Sequence, residues 1–207
     1  MKSHQILALD AMGVLYAAGD DVAELLIPFV RQNGGTADAW HVEEKYIEAS
    51  LGNMTAAQFW KDVGVNPGLE DRYLSMHELM QDVDAILGLA VSMSCSICCI
   101  SNDVREWSEK LRKRFALEDR IKDWFISGDI GSRKPDEHMY RFALNSLGVP
   151  AERVLFVDDR VRNLDAAKRL GMDTVWLSPK DMPSQNHRRI GSLERLADLL
   201  ASHSMLK

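Results

Sequence analysis

The sequence predicts an α/β protein, a doubly wound parallel sheet carrying a small all-helical insertion. Three observations carry this expectation. Short apolar runs end in polar residues, helical patterns separate the later runs, and one long early stretch has helical periodicity without a strand. The runs are Gln5-Ile-Leu-Ala-Leu-Asp10, Ser96-Ile-Cys-Cys-Ile-Ser101, Arg153-Val-Leu-Phe-Val-Asp158 and Asp173-Thr-Val-Trp-Leu177, with a weaker fifth at Trp124-Phe-Ile-Ser127. Short continuous apolar runs suit strands buried on both faces of a parallel sheet.

The first run leads into the helical stretch. Val22, Leu25, Leu26, Phe29 and Val30 form one helix face, ended by Asn33-Gly34-Gly35. A second helix is expected over Trp40–Ala49, a third over Thr55–Val63 with Thr55 as N-cap, and a fourth over Arg72–Gln81, after a turn at Asn66-Pro67-Gly68. The segment from Ala85 to Asn102 changes character near Ser94, which predicts a helix and then a strand. Asp103 to Glu106 has the spacing of a capping box. Val104, Trp107, Leu111 and Phe115 follow at helical spacing. Helices after Pro135 and after Asn163 are expected to stop at Gly148 and Gly171. The stretch from Pro179 to Arg189 reads as a loop and Leu193–Leu200 as a last helix. These boundaries predict a core of residues 1–16 and 88–207 and a helical insertion of residues 17–87.

Composition narrows the function. The chain has 207 residues, with 46% hydrophobic and 27% charged residues and a net charge of −6. A net acidic chain of this kind argues against a nucleic-acid footprint. No apolar run is uniform enough for a membrane span or a signal peptide, so the expected setting is the cytoplasm with no membrane partner. The three cysteines all lie in Cys95-Ser-Ile-Cys98-Cys99. Strand geometry sends positions 95 and 98 to opposite faces, so buried thiols are expected rather than a metal or redox pair.

Four polar clusters fall at predicted strand ends or in the loops beside them: Asp10, Ser101-Asn102, Lys134 and Asp158-Asp159. Each has a structural reading alone, as a strand end, a helix cap, a loop lysine or a turn. Together they make coherent chemistry. Converging carboxylates repel unless protonated or neutralised by a cation. Oxygen-only ligation with an anionic substrate favours Mg²⁺. Ser101 and Asn102 would stand at a helix N-terminus that suits a phosphate. Lys134 would add a positive charge for that phosphate, or hold the nucleophile ionised. A carboxylate attacking a phosphoryl group gives an aspartyl-phosphate route.

This pattern resembles the haloacid dehalogenase superfamily over nearly the whole chain. Asp10-Ala-Met-Gly-Val14 stands where that family has Asp-x-Asp-Gly-Thr/Val. Ser101-Asn102 matches its second motif, Lys134-Pro135-Asp136 with Tyr140 its third, and Phe156-Val-Asp-Asp159 with Asn163, Ala166-Ala167 and Gly171 its fourth. The resemblance implies a Rossmann-like core with a small helical cap, closest to sugar-phosphate phosphatases and to the phosphatase domain attached to some epoxide hydrolases. It implies Mg²⁺, a small phosphorylated metabolite as substrate, and a monomer or homodimer. Asp10 would be nucleophile and metal ligand, the Met12 backbone carbonyl a further ligand, and Asp159 the direct carboxylate ligand. Asp158 and Asn163 would support these from behind, while Ser101, Asn102 and Lys134 bind the phosphoryl group, with Lys134 also counted as catalytic.

Met12 breaks the pattern. It occupies the position of the family's acid–base aspartate, and a thioether cannot donate a proton. Four readings follow. One is a phosphatase favouring leaving groups that need no proton. Others are a 2-haloacid dehalogenase, and a carbon–phosphorus hydrolase that would need a cap lysine, for which Lys45 and Lys61 are available. The fourth is a non-catalytic phosphate-binding protein. Trp40, His41, Tyr46, Trp60 and His77 are candidates for substrate selection.

Overall fold

The computed structural model describes residues 6–179 and 186–204, with side chains described to residue 200. Six strands form one sheet: β1 (Ile6–Leu9), β2 (Ser96–Ser101), β3 (Asp123–Ile126), β4 (Val154–Asp158), β5 (Asp173–Leu177) and β6 (Arg188–Ile190). All pairings are parallel, in the order β3-β2-β1-β4-β5-β6. The chain winds outward from β1 through β2 to β3, then returns to the other side of β1 for β4, β5 and β6. β1 and β4 are therefore neighbours across the point where the winding reverses, and their C-terminal ends open into the crevice where such sheets bind ligands.

Period-two alternation sorts the strand residues between two cores. Leu7 and Leu9 of β1, Cys99 of β2 and Leu155 and Val157 of β4 join one apolar cluster. Ile6, Ala8, Cys98, Ile100 and Phe156 join the other. The second cluster is closed by α8 (Glu137–Leu147) and α9 (Val161–Arg169) through Met139, Tyr140, Leu164 and Ala167. The first is larger. It takes in the segment between β1 and β2: a π-helical turn Val22–Leu26, then α1 (Ile27–Gln32), α2 (Ala39–Ser50), α3 (Ala56–Asp62), α4 (Glu70–Leu74) and α5 (Val83–Ser92). α6 (Arg105–Arg114) and α10 (Leu193–Ser204) complete that side. A short α7 (Ser127–Ile130) follows β3. All three cysteines are unpaired thiols; Cys98 and Cys99 are buried and Cys95 half-buried.

One carboxylate helps tie the inserted helices to the core. Glu70 Oε2 accepts from the indole N–H of Trp60 in α3 and of Trp107 in α6, at 2.9 Å each. Both indoles are almost fully buried, so each needs that acceptor.

Several expectations need correction. The fourth helix covers only Glu70–Leu74, because the chain leaves helical geometry after Ser75 and Leu79 makes an antiparallel bridge to Tyr16. The capping box before α6 does not form. The N-cap position is Val104, Asp103 Oδ1 accepts from Val104 N, and Glu106 instead accepts from Ala56 N. Thr55 and Gln58 do form a capping box, at α3. Part of the expected loop from Pro179 is β6, an edge strand; residues 180–185 of it lie outside the described residues, as does Gln5 of the first expected strand.

His77 sits where the shortened helix ends, packed edge-on to the Tyr73 ring with centroids 5.2 Å apart. Burial pushes its imidazole from 6.5 down to about 4. The unfolded chain therefore takes up a proton between those values and the folded chain does not, so stability falls as pH drops through that window. In urea titrations near pH 7 and near pH 4.5, the loss of stability between the two should be about 2 kcal/mol smaller in His77→Phe than in the native chain. An equal loss in both would remove His77 as the cause.

Candidate active site

Asp10 follows β1 directly, and its amide donates to the Val157 carbonyl at 2.9 Å. That bond continues the β1–β4 ladder by one residue and brings Asp10 beside Asp158, the last residue of β4. Asp10, Asp158 and Asp159 each present a carboxylate oxygen within 4.8 Å of the others. Lys134, from the loop between α7 and α8, places its ammonium 2.8 Å from Asp10 Oδ1 and 2.8 Å from Asp158 Oδ2. Its side chain is almost wholly buried.

The loop carrying Lys134 is held by Asn102. Asn102 Nδ2 donates to the Lys134 carbonyl at 2.9 Å, and the Lys134 amide donates to Asn102 Oδ1 at 2.7 Å. The carboxamide is thus spent on backbone, and Asn102 reaches the site chiefly as the clamp of Lys134. Ser101 differs: its hydroxyl is buried and has no hydrogen-bond partner. It lines the cavity at the end of β2, ready for an oxygen that the protein does not supply.

The two acids of β4 also differ. Asp158 is fully engaged, accepting from Lys134 Nζ, from the Arg160 amide at 2.8 Å and from Asn163 Nδ2 at 3.0 and 3.1 Å. Asn163 is placed in turn by the Tyr140 hydroxyl, which donates to its carbonyl at 2.9 Å. Asp159 Oδ1 is buried and has no hydrogen-bond partner. Asp159 also presses on the loop after β1: a Cβ on Gly13 would come within 2.6 Å of its Oδ2. Gly13 has φ +75°, so the position demands glycine on both counts. The Gly13 amide donates to Tyr16 and Ala18, which leaves the Met12 carbonyl outside that loop's own bonds.

Electrostatics follow from burial. Desolvation pushes Asp10 well above the usual carboxylate range, against the pull of Lys134, with Asp158 and Asp159 adding to the rise. Burial opposes the Lys134 charge, but Asp10 and Asp158 outweigh it and hold the lysine above its ordinary value, as an ammonium. Burial, then Asp158, push Asp159 up to about 6. Lys134 is the ammonium among three acids, and the Arg160 guanidinium approaches only Asp159, at 3.9 Å from its Oδ1. A hard divalent cation matches the all-oxygen donor set and the orphaned Asp159 oxygen. Asp10 and Asp159 are the carboxylates free to take it.

A cavity of about 320 Å³ opens above these residues. Its floor is Asp10, Met12, Ser101, Asn102, Lys134 and Asn163; Asp21, Val22, Glu43, Tyr46 and Ile47 of the inserted helices face them. Arg133 and Arg160 line its sides. Of the residues considered for substrate selection, only Tyr46 lines the cavity; Trp60 and His77 are in the core and Trp40 is 70% exposed. Lys45 is paired with Glu48 and, like Lys61, is not among the lining residues, which include Lys134 as their lysine. Sequence reasoning missed Asp21, Arg133 and Arg160. The two arginines directly adjoin Lys134 and Asp159, which was the signal available.

A model of the haloacid dehalogenase-like hydrolases matches residues 6–171, and the chain belongs to that family. It is 44% identical over 67 residues to drimenol cyclase of Aspergillus calidoustus, 32% of this chain and 12% of that one. It is 29% identical over 145 residues to (S)-2-haloacid dehalogenase 4A of Burkholderia cepacia, covering 66% of this chain and 62% of the dehalogenase. The chain thus spans less than two thirds of either relative. A third relative is D-ribitol-5-phosphate phosphatase of Bacteroides thetaiotaomicron, 28% identical over 66% of this chain and 73% of the phosphatase. Among solved structures, a dehalogenase superposes with a TM-score of 0.72 at 23% identity, over 97% of this chain and 99% of that one. A family enzyme from Bacteroides thetaiotaomicron in complex with magnesium and inorganic phosphate superposes with a TM-score of 0.70 at 20% identity, over 89% and 98%. Relatives of both chemistries, phosphatase and dehalogenase, accompany the shared fold. No helix among the described residues is long and apolar enough to cross a membrane.

Mg²⁺ should raise the thermal midpoint of this protein, by mass action, at millimolar concentration near pH 7.5. Without metal, Asp159 is raised from 3.8 to about 6, so its contribution to stability is present below pH 4 and lost as pH rises through 6. The cation competes for that same oxygen, so the Mg²⁺-induced shift should shrink below about pH 6. Asp159→Asn should remove most of the shift at pH 7.5. An undiminished shift in the variant would reject Asp159 as a ligand.

Proposed function

We propose that the protein is a Mg²⁺-dependent phosphatase acting on a small phosphorylated metabolite through an aspartyl-phosphate intermediate. The observation that carries this reading is the pairing of Asp10 with Lys134 beside an Asp159 whose Oδ1 accepts no hydrogen bond and, among the described residues, has only the Arg160 guanidinium, at 3.9 Å, as an ion-pair partner. Halide displacement needs no cation, whereas a phosphoryl group brings its own negative charge beside three carboxylates that already repel one another.

In this reading Asp10 attacks phosphorus with the oxygen that faces the cavity. Lys134 favours the ionised form of Asp10 against its burial and, with the Ser101 hydroxyl, binds the phosphoryl oxygens. Asp10, Asp159 and the Met12 carbonyl hold the Mg²⁺, which when bound neutralises phosphoryl charge and lowers the repulsion between nucleophile and substrate. Asp158 and Asn163 keep Lys134 in place. Residues 17–87 act as a cap: Asp21, Val22, Glu43, Tyr46 and Ile47 close the cavity against water and select what enters. The cavity fits a compact substrate rather than a polymer.

The dehalogenase relative and the thioether of Met12 support a second reading, displacement of halide from a 2-haloacid by Asp10. The two readings separate on metal and product. Purified protein should release inorganic phosphate from an aryl phosphate with Mg²⁺ and lose that activity with a chelator. Asp10→Asn should fall to the uncatalysed background while keeping the native circular dichroism spectrum, because an amide oxygen cannot serve as the nucleophile. Chelator-resistant chloride release from 2-chloropropionate, without phosphate release, would replace the phosphatase reading with the dehalogenase one.

A further inference from the structure

We propose that Asp21, at the start of the inserted helices, is the proton donor to the leaving group that Met12 cannot be. This rests on the phosphatase reading above. Asp21 lines the same cavity as Asp10 and Met12, from the segment inserted after β1. It is 4% exposed, and its Oδ2 is buried without a hydrogen-bond partner. It occupies the N-cap position of the Val22–Leu26 turn, where an aspartate ordinarily accepts from the helix, yet its side chain makes no such cap bond. Asp21 lines the cavity and keeps one carboxyl oxygen that no group among the described residues hydrogen-bonds, so a leaving ester oxygen that enters beside it can be its partner.

The other acids of that segment that line the cavity are unsuited. Asp20 is exposed and accepts from the Ala23 amide at 3.2 Å, and Glu43 is exposed. Burial pushes Asp21 up to about 6, helped by Asp20 and opposed by Arg160, the Val22 amide and Arg133. Asp103, Tyr46 and Tyr73, packed on the inner side, all feel the Asp21 charge and are themselves raised mainly by burial. An acid of this strength is protonated in about a tenth of molecules at pH 7 and in half near pH 6, which suits a group that must both give and take a proton.

The step balances. As Asp10 forms its bond to phosphorus, the ester P–O bond breaks with both electrons on the leaving oxygen. The Asp21 proton passes to that oxygen, and an alcohol departs. Water then attacks phosphorus and gives one proton to the Asp21 carboxylate. The bond from phosphorus to Asp10 breaks, and phosphate leaves with both carboxyls restored.

With Met12 alone, the chain would be confined to esters whose leaving group needs no proton. With Asp21 as donor, it also hydrolyses alkyl phosphates. The test compares kcat on an alkyl and an aryl phosphate at saturating Mg²⁺. Asp21→Asn should lose about 10²-fold on the alkyl ester and at least tenfold less than that on the aryl ester. Asp21→Glu should keep most of the alkyl activity. Adding Met12→Asp to Asp21→Asn should restore alkyl turnover, which repair of mere packing would not do. Equal losses on the two esters, or no loss on the alkyl ester, would overturn the role of Asp21 and leave the phosphatase reading standing. A native chain that turns over neither ester would overturn both.

Discussion

The structure depends on holding three carboxylates and one ammonium together, two of the carboxylates and the ammonium being buried and the third half-buried. Lys134 bridges Asp10 and Asp158 at 2.8 Å each, with all three side chains buried or nearly so. Removing one partner from such a cluster leaves an uncompensated buried charge, which is far costlier than the cluster's net contribution is favourable. Everything nearby serves to keep it intact: the ladder bond from Asp10 to Val157, the Asn102 clamp on the lysine loop, and the chain from Tyr140 through Asn163 to Asp158. The cluster forms only because β1 and β4 are adjacent at the reversal of the sheet, so topology and chemistry are one constraint.

Much of this was legible in the chain. The five apolar runs are strands because continuous burial leaves a pattern that periodicity can read, and the polar residues that end the runs at Asp10, Ser101 and Asp158 mark the crevice side. The four polar clusters at or beside those ends converge as expected, since a parallel sheet aligns all its C-terminal edges. β6 was not legible: Arg188-Arg189-Ile190 is an edge strand with one buried side chain, too short and too charged to leave a pattern. α4 was overextended because the apolar spacing through Leu79 reflects contact with Tyr16 rather than helix. The capping box at Asp103 failed because the adjacent Val104 amide claimed the Asp103 side chain and the distant Ala56 amide claimed Glu106. Asp21 was unreadable, since an acid before a helix reads as a cap; only the fold reveals that it lines the cavity and that its Oδ2 has no hydrogen-bond partner.

Met12 is the point where this chain leaves its family's pattern without disturbing the framework. Gly13 still accommodates Asp159, the Asp10–Lys134 pair still forms, and Ser101 still presents an open hydroxyl. A chain that had lost its chemistry altogether would have no need to keep such a cluster buried, because apolar residues of like volume would be as stable or more so. The change instead moves the proton-handling task from the strand end to the segment inserted after β1. There the inserted helices bring a carboxyl whose affinity for its proton is set by burial rather than by a neighbouring nucleophile.

The central claim is that Asp10 becomes covalently phosphorylated, and acid quenching with peptide mass spectrometry tests it most directly. The native protein is mixed with Mg²⁺ and an aryl phosphate, quenched within the first turnover, and digested. The account expects the peptide containing Asp10 to carry one added phosphoryl group that disappears as substrate is exhausted and is lost on hydroxylamine treatment. An unmodified Asp10 peptide throughout steady turnover, or a phosphoryl group on any other residue, would contradict it.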